Sequence, residues 1–286
     1  MNLLLVFVAS AIVAFGLWVV ARPMFAAPVL QRTNHRGAQV PVAAGVVLLA
    51  TVLVVEAMLS IIEVGWEDRE LPGGPSRTLV LILALGFGLL GAFDDLAAHG
   101  DDRGFRGHLR AMARGSLSTG GLKLVVGGLL AIIVVARTGV DSLVDLAVGA
   151  ALVALAANLG NLFDRAPGRT TKVALLCWLV LLVLTPAAER DLLVGIAMVL
   201  GAGAGLLLPD LREEMMLGDA GANVLGAVLG LGVVLTVGRV AEVVAVVALL
   251  GLNLVSEKVS FSRVIATTPP LRALDLLGRR PPDEPL

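Results

Sequence analysis

The feature that most constrains the fold is a series of apolar runs, each close to the length of a membrane-spanning helix and bounded by short charged or Pro/Gly-containing breaks. A helix needs roughly 20 apolar residues to cross the hydrocarbon core of a bilayer. The chain is 57% hydrophobic and only 16% charged, which is too little charge for a soluble domain of 286 residues. The nine candidate spans are 2–21, 39–62, 78–94, 119–136, 142–161, 172–187, 190–208, 220–237 and 239–257.

These runs predict an all-α fold, a polytopic membrane bundle of about nine transmembrane helices that forms one integral membrane domain over residues 1–286. The first basic residue, Arg22, follows the first run instead of preceding it. A secretory signal peptide has the opposite order of charge. We therefore expect residues 2–21 to be a retained span.

Basic residues indicate the orientation of the bundle, because loops rich in Lys and Arg stay on the cytoplasmic side. With the N-terminus outside, sixteen of the 22 basic residues fall in inside segments and five in outside segments, while Lys123 lies within the fourth run. We expect a multi-pass protein of the plasma membrane with a cytoplasmic C-terminus. The longest inside segments are the loop 95–118 and the tail 258–286, so chemistry is expected on the cytoplasmic face.

Four carboxylates, Asp94, Asp95, Asp164 and Asp219, lie where apolar runs meet inside segments. Adjacent carboxylates at the end of a span repel each other and face the negative end of the helix dipole, so a cation should compensate them. Magnesium prefers oxygen ligands and is usually held by one or two carboxylates together with substrate phosphates. A remaining carboxylate can act as a base. The pattern favours a site that binds Mg²⁺ together with a phosphate-containing substrate.

Each of these carboxylates also has a purely structural interpretation. Asp94 and Asp95 could mark a solvated end of a span, and Arg165 could neutralise Asp164. Asp219 could be the N-cap of the eighth run, a position that favours Asp. The residue types alone leave these alternatives open.

Three polar side chains inside the runs are candidate substrate contacts. Asn158 and Asn161 precede Asp164 at steps of three residues, which places all three on one helix face. Amides in a membrane form either helix–helix hydrogen bonds or ligand contacts. Lys123 is costly within a span, and it either extends to the near interface or meets an anionic headgroup or phosphate.

A basic stretch lies in the longest inside loop. Arg103, Arg106, Arg110 and Arg114 have helical spacing, which predicts a short amphipathic helix at the membrane surface. This charge is either the ordinary excess of inside loops or a collar for a phosphorylated lipid or nucleotide. The single cysteine excludes an intrachain disulfide, and the net charge of −1 gives no general attraction to nucleic acid.

Four motifs follow one another in a distinctive order. They are Asn34-His35-Arg36-Gly37 with Pro41 and Gly45, Gly91-Ala92-Phe93-Asp94-Asp95, Asn158-Leu159-Gly160-Asn161-Leu162-Phe163-Asp164, and Met216-Leu217-Gly218-Asp219-Ala220-Gly221-Ala222. In this order the chain resembles the polyprenyl-phosphate N-acetylhexosamine-1-phosphate transferases, which include the phospho-MurNAc-pentapeptide and GlcNAc-1-phosphate transferases. The likeness covers most of the chain.

The resemblance implies transfer of a sugar-1-phosphate from a UDP-sugar to a polyprenyl phosphate, with Mg²⁺ and release of UMP, in the synthesis of bacterial cell-envelope glycans such as peptidoglycan. It implies that Asp219 and Asp94 hold the metal. Asp94 would also act as a base or orient the lipid phosphate, with Asp95 beside it, and Asp164 would line the nucleotide–sugar cleft. The substrate contacts that it implies are Lys123, Asn158, Asn161, His35, Gly218 and Gly221. A homodimer is compatible with this assignment.

The chain departs from the family pattern at two places. Arg165 stands where the family has a glycine after the aspartate, and residues 270–275 contain no histidine where the family has a histidine cluster. The alternative function is therefore a catalytically degenerate relative that binds polyprenyl phosphate or assists envelope machinery. A transporter is a third alternative, which Lys123 supports and which the clustering of acidic residues at one face opposes.

Overall fold

The structure is a computed structural model, and it describes residues 2–34, 36–65, 71–97, 114–115 and 118–281. These residues are overwhelmingly helical, which confirms the predicted all-α class. The eleven α-helices of the described part are α1 (Leu3–Ala21), α2 (Gly45–Gly65), α3 (Gly74–Ala97), α4 (Thr119–Val135), α5 (Leu143–Phe163), α6 (Arg169–Leu184), α7 (Val194–Leu211), α8 (Asp219–Thr236), α9 (Arg239–Ser256), α10 (Phe261–Thr267) and α11 (Pro269–Leu276).

Each of the nine predicted apolar runs overlaps one of the helices α1 to α9, with boundaries that differ by several residues. Seven segments of the described chain are long and apolar enough to cross a membrane: Leu3–Ala21, Gly45–Gly65, Gly74–Ala97, Leu143–Phe163, Ala187–Leu211, Asp219–Thr236 and Arg239–Ser256. Helices α4 and α6 are shorter, at 17 and 16 residues. The fold therefore has the character of a helical membrane bundle.

The helices differ strongly in how much of their surface the protein itself covers. The interior of the bundle is formed by α7 and α8, in which most residues are buried, whereas Glu242 is the one buried residue of α9. Val and Leu side chains cover most of the exposed surface of α9. An apolar surface of this extent is unfavourable in water and suits a lipid environment.

Glycine allows α3 and α5 to approach the central helix α8 closely. A Cβ atom on Gly91 of α3 would lie 2.2 Å from the carbonyl oxygen of Asp219, and one on Gly226 of α8 would lie 2.1 Å from the carbonyl oxygen of Ala156. Small residues at such crossings let helix backbones come into contact in a membrane. Gly91 thereby brings the end of α3, with Asp94 and Asp95, against the beginning of α8.

A small β-hairpin precedes α2 and was not predicted from the sequence. Strands β1 (Gln31–Thr33) and β2 (Gln39–Pro41) pair antiparallel. The predicted second span, 39–62, therefore begins with a strand, and its helix starts only at Gly45. The chain after Pro41 pairs with the segment before α8, because Met216 N–H donates to the Pro41 carbonyl at 2.7 Å and Gly45 N–H to the Leu217 carbonyl at 2.8 Å.

The bundle has two polar ends, of which one carries the predicted site. We define the site end as the end at which α3 finishes and α8 begins. The opposite end contains Arg77, which is 2% exposed and donates to both Glu56 and Glu63. Pairing of this kind is what a charged side chain requires when it is removed from water.

Candidate functional site

The centre of the site is the ammonium group of Lys123, which two aspartates share. Lys123 lies one turn into α4, and its Nζ donates to Asp94 Oδ2 at 3.1 Å and also to Asp219 Oδ2. The lysine side chain is 14% exposed. The structure therefore brings carboxylates from α3 and α8 to one point and places a cation there. Neither of the two sequence interpretations of Lys123 anticipated an ion pair within the protein.

Asp95 has a different set of partners from its neighbour. Its Oδ1 accepts from the backbone N–H of Asp219 at 3.0 Å, and its Oδ2 accepts from that of Ala220 at 3.1 Å. The first N–H groups of a helix have no partner within it and carry a partial positive charge. The carboxylate of Asp95 thus caps α8 from another helix, and the beginning of α8 compensates its charge.

Gly218 makes the contact between Asp95 and α8 sterically possible. It adopts a positive φ of 71°, and a Cβ atom there would lie 2.5 Å from Asp95 Oδ2. Gly221 lies one turn further along, where a Cβ atom on Gly45 would be 2.1 Å from the Gly221 nitrogen. Both glycines of the predicted site are therefore positions of close backbone approach.

The two asparagines of the predicted polar ridge have separate partners. Asn161 Nδ2 donates to Asp219 Oδ2 at 3.0 Å. It therefore belongs to what we call the carboxylate cluster, which comprises Asp94, Asp95, Lys123, Asn161 and Asp219. Asn158 Nδ2 donates to Asn253 Oδ1 at 2.6 Å and links α5 to α9. Asn253 was missed by sequence reasoning, although an asparagine within an otherwise apolar run is the signal that could have found it.

Asp164 ends α5 and lies beside a cavity of about 190 Å³ at the site end. Two further carboxyl groups, those of Asp210 and Glu213, also line this cavity and were not predicted. Burial, then the charges of Asp210 and Asp219, raise the pKa of Asp164 to about 8, against hydrogen bonds from Gly218 and Thr170. The cavity is lined by Thr33, Asn34, Val40, Asp164, Arg165, Ala166, Pro167, Asp210, Glu213, Met215, Met216 and Leu217.

Asn34 of the first motif lines this cavity, and Arg36 reaches it through Glu213. Asn34 Nδ2 donates to Glu213 Oε2 at 2.9 Å, and Arg36 Nε lies 2.8 Å from Glu213 Oε1. Arg32 Nη2 donates to the Asp95 carbonyl at 3.2 Å, which connects the hairpin to the end of α3. His35 lies outside the described residues, and so do Arg103, Arg106 and Arg110 of the predicted surface helix.

An apolar groove of about 300 Å³ runs between α5, α6, α8 and α9. Its lining includes Phe163 and Thr170 at the site end and Leu249 further along α9. Thr170 also interacts with Asp164, so the groove reaches the carboxyl group at the end of α5. The nearly continuous apolar lining suits a hydrocarbon chain.

The donor set can be compared with what magnesium requires. Within the described ranges, no group of three or more His, Cys, Asp or Glu side chains is arranged to hold a metal ion. Magnesium needs only one or two carboxylates when substrate phosphates supply other ligands. Asp94 and Asp219 each offer one oxygen atom, but both of these atoms contact Lys123 Nζ, so Mg²⁺ would fit between them only if that ammonium group moved away.

Comparison with known proteins adds no relative. Searches against family models and against curated proteins find no match to this chain. The function is therefore argued from the chemistry of the site and from the four sequence motifs, since a fold class alone does not define an activity.

Proposed function

We propose that the protein is a magnesium-dependent transferase, which moves a sugar-1-phosphate from a UDP-sugar to a polyprenyl phosphate and releases UMP. The observation that carries the proposal is the convergence of Asp94 and Asp219 on the ammonium group of Lys123. Asp164, which is close enough to Asp219 for their charges to interact, lines a polar cavity, and its partner Thr170 lines an apolar groove.

The reaction makes one bond and breaks one. An oxygen of the lipid phosphate attacks the phosphorus that carries the sugar, the bond from that phosphorus to the bridging oxygen breaks, and UMP leaves with the bridging oxygen. Phosphoryl transfer of this type depends mainly on positioning and on neutralising negative charge. Asp219 and Asp94 would hold Mg²⁺, which supplies charge neutralisation when bound.

The remaining residues of the cluster hold these groups in place. Lys123 provides a further positive charge for phosphate oxygens, and Asn161 orients the Asp219 carboxylate through its amide. Asp95 fixes the first turn of α8, which carries Asp219. Asp95 therefore acts as a positioning residue in this proposal, because both of its carboxylate oxygens already accept backbone hydrogen bonds.

The two substrates are assigned to the two spaces beside the cluster. The polar cavity next to Asp164 takes the nucleotide of the donor, and Asn34 and Thr33 offer hydrogen-bonding groups there. The apolar groove takes the first isoprene units of the acceptor, which extend away from the site end along α9. The proposed orientation has nine spans, an outside N-terminus and the site end in the cytoplasm, as the distribution of basic residues predicts.

An assay of UMP release tests the proposal. The purified protein in proteoliposomes is supplied with undecaprenyl phosphate, Mg²⁺ and a panel of UDP-N-acetylhexosamines. We expect release that falls by roughly a hundredfold or more in Asp219→Asn, because it removes a charged group that acts on the transferring phosphate. Asp145→Asn is the matched control, since Asp145 pairs with Arg239 and lies away from the site end.

The alternative is a relative that binds the lipid without turnover, and Arg165 is the observation that favours it. An exposed arginine lines the cavity where the resemblance expects a glycine. Saturable binding of labelled polyprenyl phosphate without UMP release from any donor would support this alternative and contradict the transferase. Release that is equal in the unchanged protein and in Asp219→Asn would contradict the assigned site.

A further inference from the structure

The chain after α9 folds back over the site end as a segment that we call the strap, residues 261–281, which comprises α10, α11 and the residues that follow them. Its first anchor is Arg169 at the beginning of α6, which is 6% exposed. Arg169 Nε and Nη2 donate to the two carboxylate oxygens of Asp275 at 2.8 and 3.0 Å, and its Nη1 donates to Ser262 Oγ at 2.9 Å. A two-pronged contact of this kind fixes both distance and orientation.

Lys172 strengthens the same anchor from the next turn of α6. Its Nζ donates to three carbonyl oxygens at the end of α11, those of Leu274 at 3.0 Å, Asp275 at 2.6 Å and Leu277 at 3.1 Å. The last carbonyl groups of a helix lack partners within it, and a cation is favourable there. The end of α11 is therefore held against α6 by both side-chain and backbone contacts.

A second anchor is Arg36 of the first motif. Arg36 Nη2 donates to the Arg280 carbonyl at 2.9 Å and Nη1 to the Pro281 carbonyl at 3.0 Å. The same guanidinium contacts Glu213 Oε1 through Nε. The backbone N–H of Arg280 also donates to the Leu211 carbonyl at 3.3 Å. The end of the strap is thus connected, through Arg36, to the hydrogen-bonded pair of Asn34 and Glu213 in the cavity lining.

The two anchors therefore attach the strap to residues next to two parts of the lining of the cavity beside Asp164. Arg169 directly follows Gly168, whose N–H donates to Asp210 Oδ2 at 2.9 Å and which ends the cavity-lining loop 165–167. Arg36 reaches the cavity through Glu213, which lines it. Burial alone would raise the pKa of the Asp275 carboxyl, but its hydrogen bonds with Arg169 and the charge of Arg279 outweigh burial and lower that pKa.

We propose that the strap fixes the position of the loop 165–167 relative to Glu213, both of which line the cavity, and that Asp275 is a positioning residue for the nucleoside diphosphate part of the donor, acting through Arg169. The identity of the ligand rests on the proposed function, whereas the coupling between strap and cavity does not. Releasing Asp275 should loosen the loop 165–167 and weaken nucleotide binding. It should leave the rate at saturating donor unchanged, because Asp275 does not contact the carboxylate cluster.

The test uses Asp275→Asn in the full-length protein in detergent micelles, with Asp145→Asn as the control for loss of an aspartate–arginine pair. Backbone hydrogen exchange is measured without ligand, and UDP binding by calorimetry. We expect faster exchange in Asp275→Asn both in the strap and at 165–168, and UDP affinity lower by about tenfold, which is the scale of one lost charged contact. In the transfer assay, KM for the donor rises by a similar factor at constant kcat.

A charge-reversed pair, Arg169→Asp with Asp275→Arg, provides the rescue. If the strap acts through this pair, the double variant recovers part of the slow exchange at 165–168 that each single variant loses. Faster exchange confined to the strap, with 165–168 unaffected, overturns the inference. Coupled exchange in a protein that binds no UDP at all supports the strap and instead overturns the proposed donor.

Discussion

The carboxylate of Asp95, in the last turn of α3, accepts a 3.0 Å hydrogen bond from the backbone N–H of Asp219, the first residue of α8. The second oxygen of Asp95 accepts from the N–H of Ala220. One acidic residue therefore fixes the beginning of the helix that carries another. The two neighbouring aspartates thus have different roles: Asp94 contacts the ammonium group of Lys123, and Asp95 holds the backbone at the beginning of α8.

Asp95→Ala should destabilise the protein by about 1 kcal/mol, the usual scale for loss of a helix cap. The backbone N–H groups of Asp219 and Ala220 would lose the carboxylate that accepts their hydrogen bonds, and the Asp219 carboxylate would be held less firmly. The measurement is the unfolding free energy in mixed micelles by titration with SDS. Unchanged stability in Asp95→Ala would show that these two hydrogen bonds contribute nothing. Asp145→Ala serves as the control.

Gly91→Ala should be more damaging than an ordinary helix substitution. Its added methyl group would lie 2.2 Å from the Asp219 carbonyl oxygen, so α3 and α8 must separate. Overpacking of this kind costs about 1–3 kcal/mol. Gly128→Ala in α4 is the matched control, because no atom outside its own helix lies within 4 Å of the added carbon. The thermal midpoint should fall in Gly91→Ala, whereas in Gly128→Ala it should match or exceed that of the unchanged protein. A midpoint of Gly91→Ala equal to that of Gly128→Ala would contradict the close approach of α3 and α8.

The pH dependence of stability should contain a contribution from Asp164. Its pKa is raised to about 8 in the folded protein, whereas an unperturbed aspartate has a pKa of about 3.9. Between these values the folded state binds more protons than the unfolded state, so stability falls as the pH rises towards 8 and levels off above it. Asp164→Asn stays neutral and should flatten this decline in thermal midpoints measured from about pH 5 to about pH 9. Parallel curves of thermal midpoint against pH for the unchanged protein and Asp164→Asn would contradict the raised pKa of Asp164.

The apolar groove can be probed with the single cysteine of the chain. Cys177 is exposed and contributes to the groove lining. If the acceptor occupies the groove, undecaprenyl phosphate should slow labelling of Cys177 by a membrane-soluble maleimide, while undecane at equal concentration protects it less because it lacks the phosphate. An unchanged labelling rate would place the acceptor elsewhere. Val183→Cys in a Cys177→Ala background is the control, since Val183 is an exposed residue of the same helix that does not belong to the groove lining.

The helices and the meeting of the carboxylates were predictable from the sequence for a simple reason. Apolar runs of membrane length define helices, and alternating connections place Asp94, Asp164 and Asp219 at the same end. That prediction required only the order of runs and loops. The site roles of these residues remain predictions.

Partners within the site were less predictable, because they depend on the rotation of each helix and on contacts between distant segments. The helical spacing of Asn158 and Asn161 places both on one face, but only the position of Asn253 on α9 separates their partners. Glu213 and Asp210 lie at the end of α7 without a recognised motif. The anchoring of Asp275 by Arg169 joins positions 106 residues apart, which no local pattern reveals.

Binding of Mn²⁺, a paramagnetic substitute for Mg²⁺, tests the central claim most directly. Electron paramagnetic resonance of the purified protein with UDP should show a single bound ion per chain, lost in Asp219→Asn and weakened in Asp94→Asn, but retained in Asp145→Asn. Asp94 and Asp219 both contact Lys123 Nζ and are proposed to hold the same metal ion. Both substitutions should therefore weaken the binding of one and the same Mn²⁺ ion. Equal Mn²⁺ binding by the unchanged protein and by Asp219→Asn would contradict it.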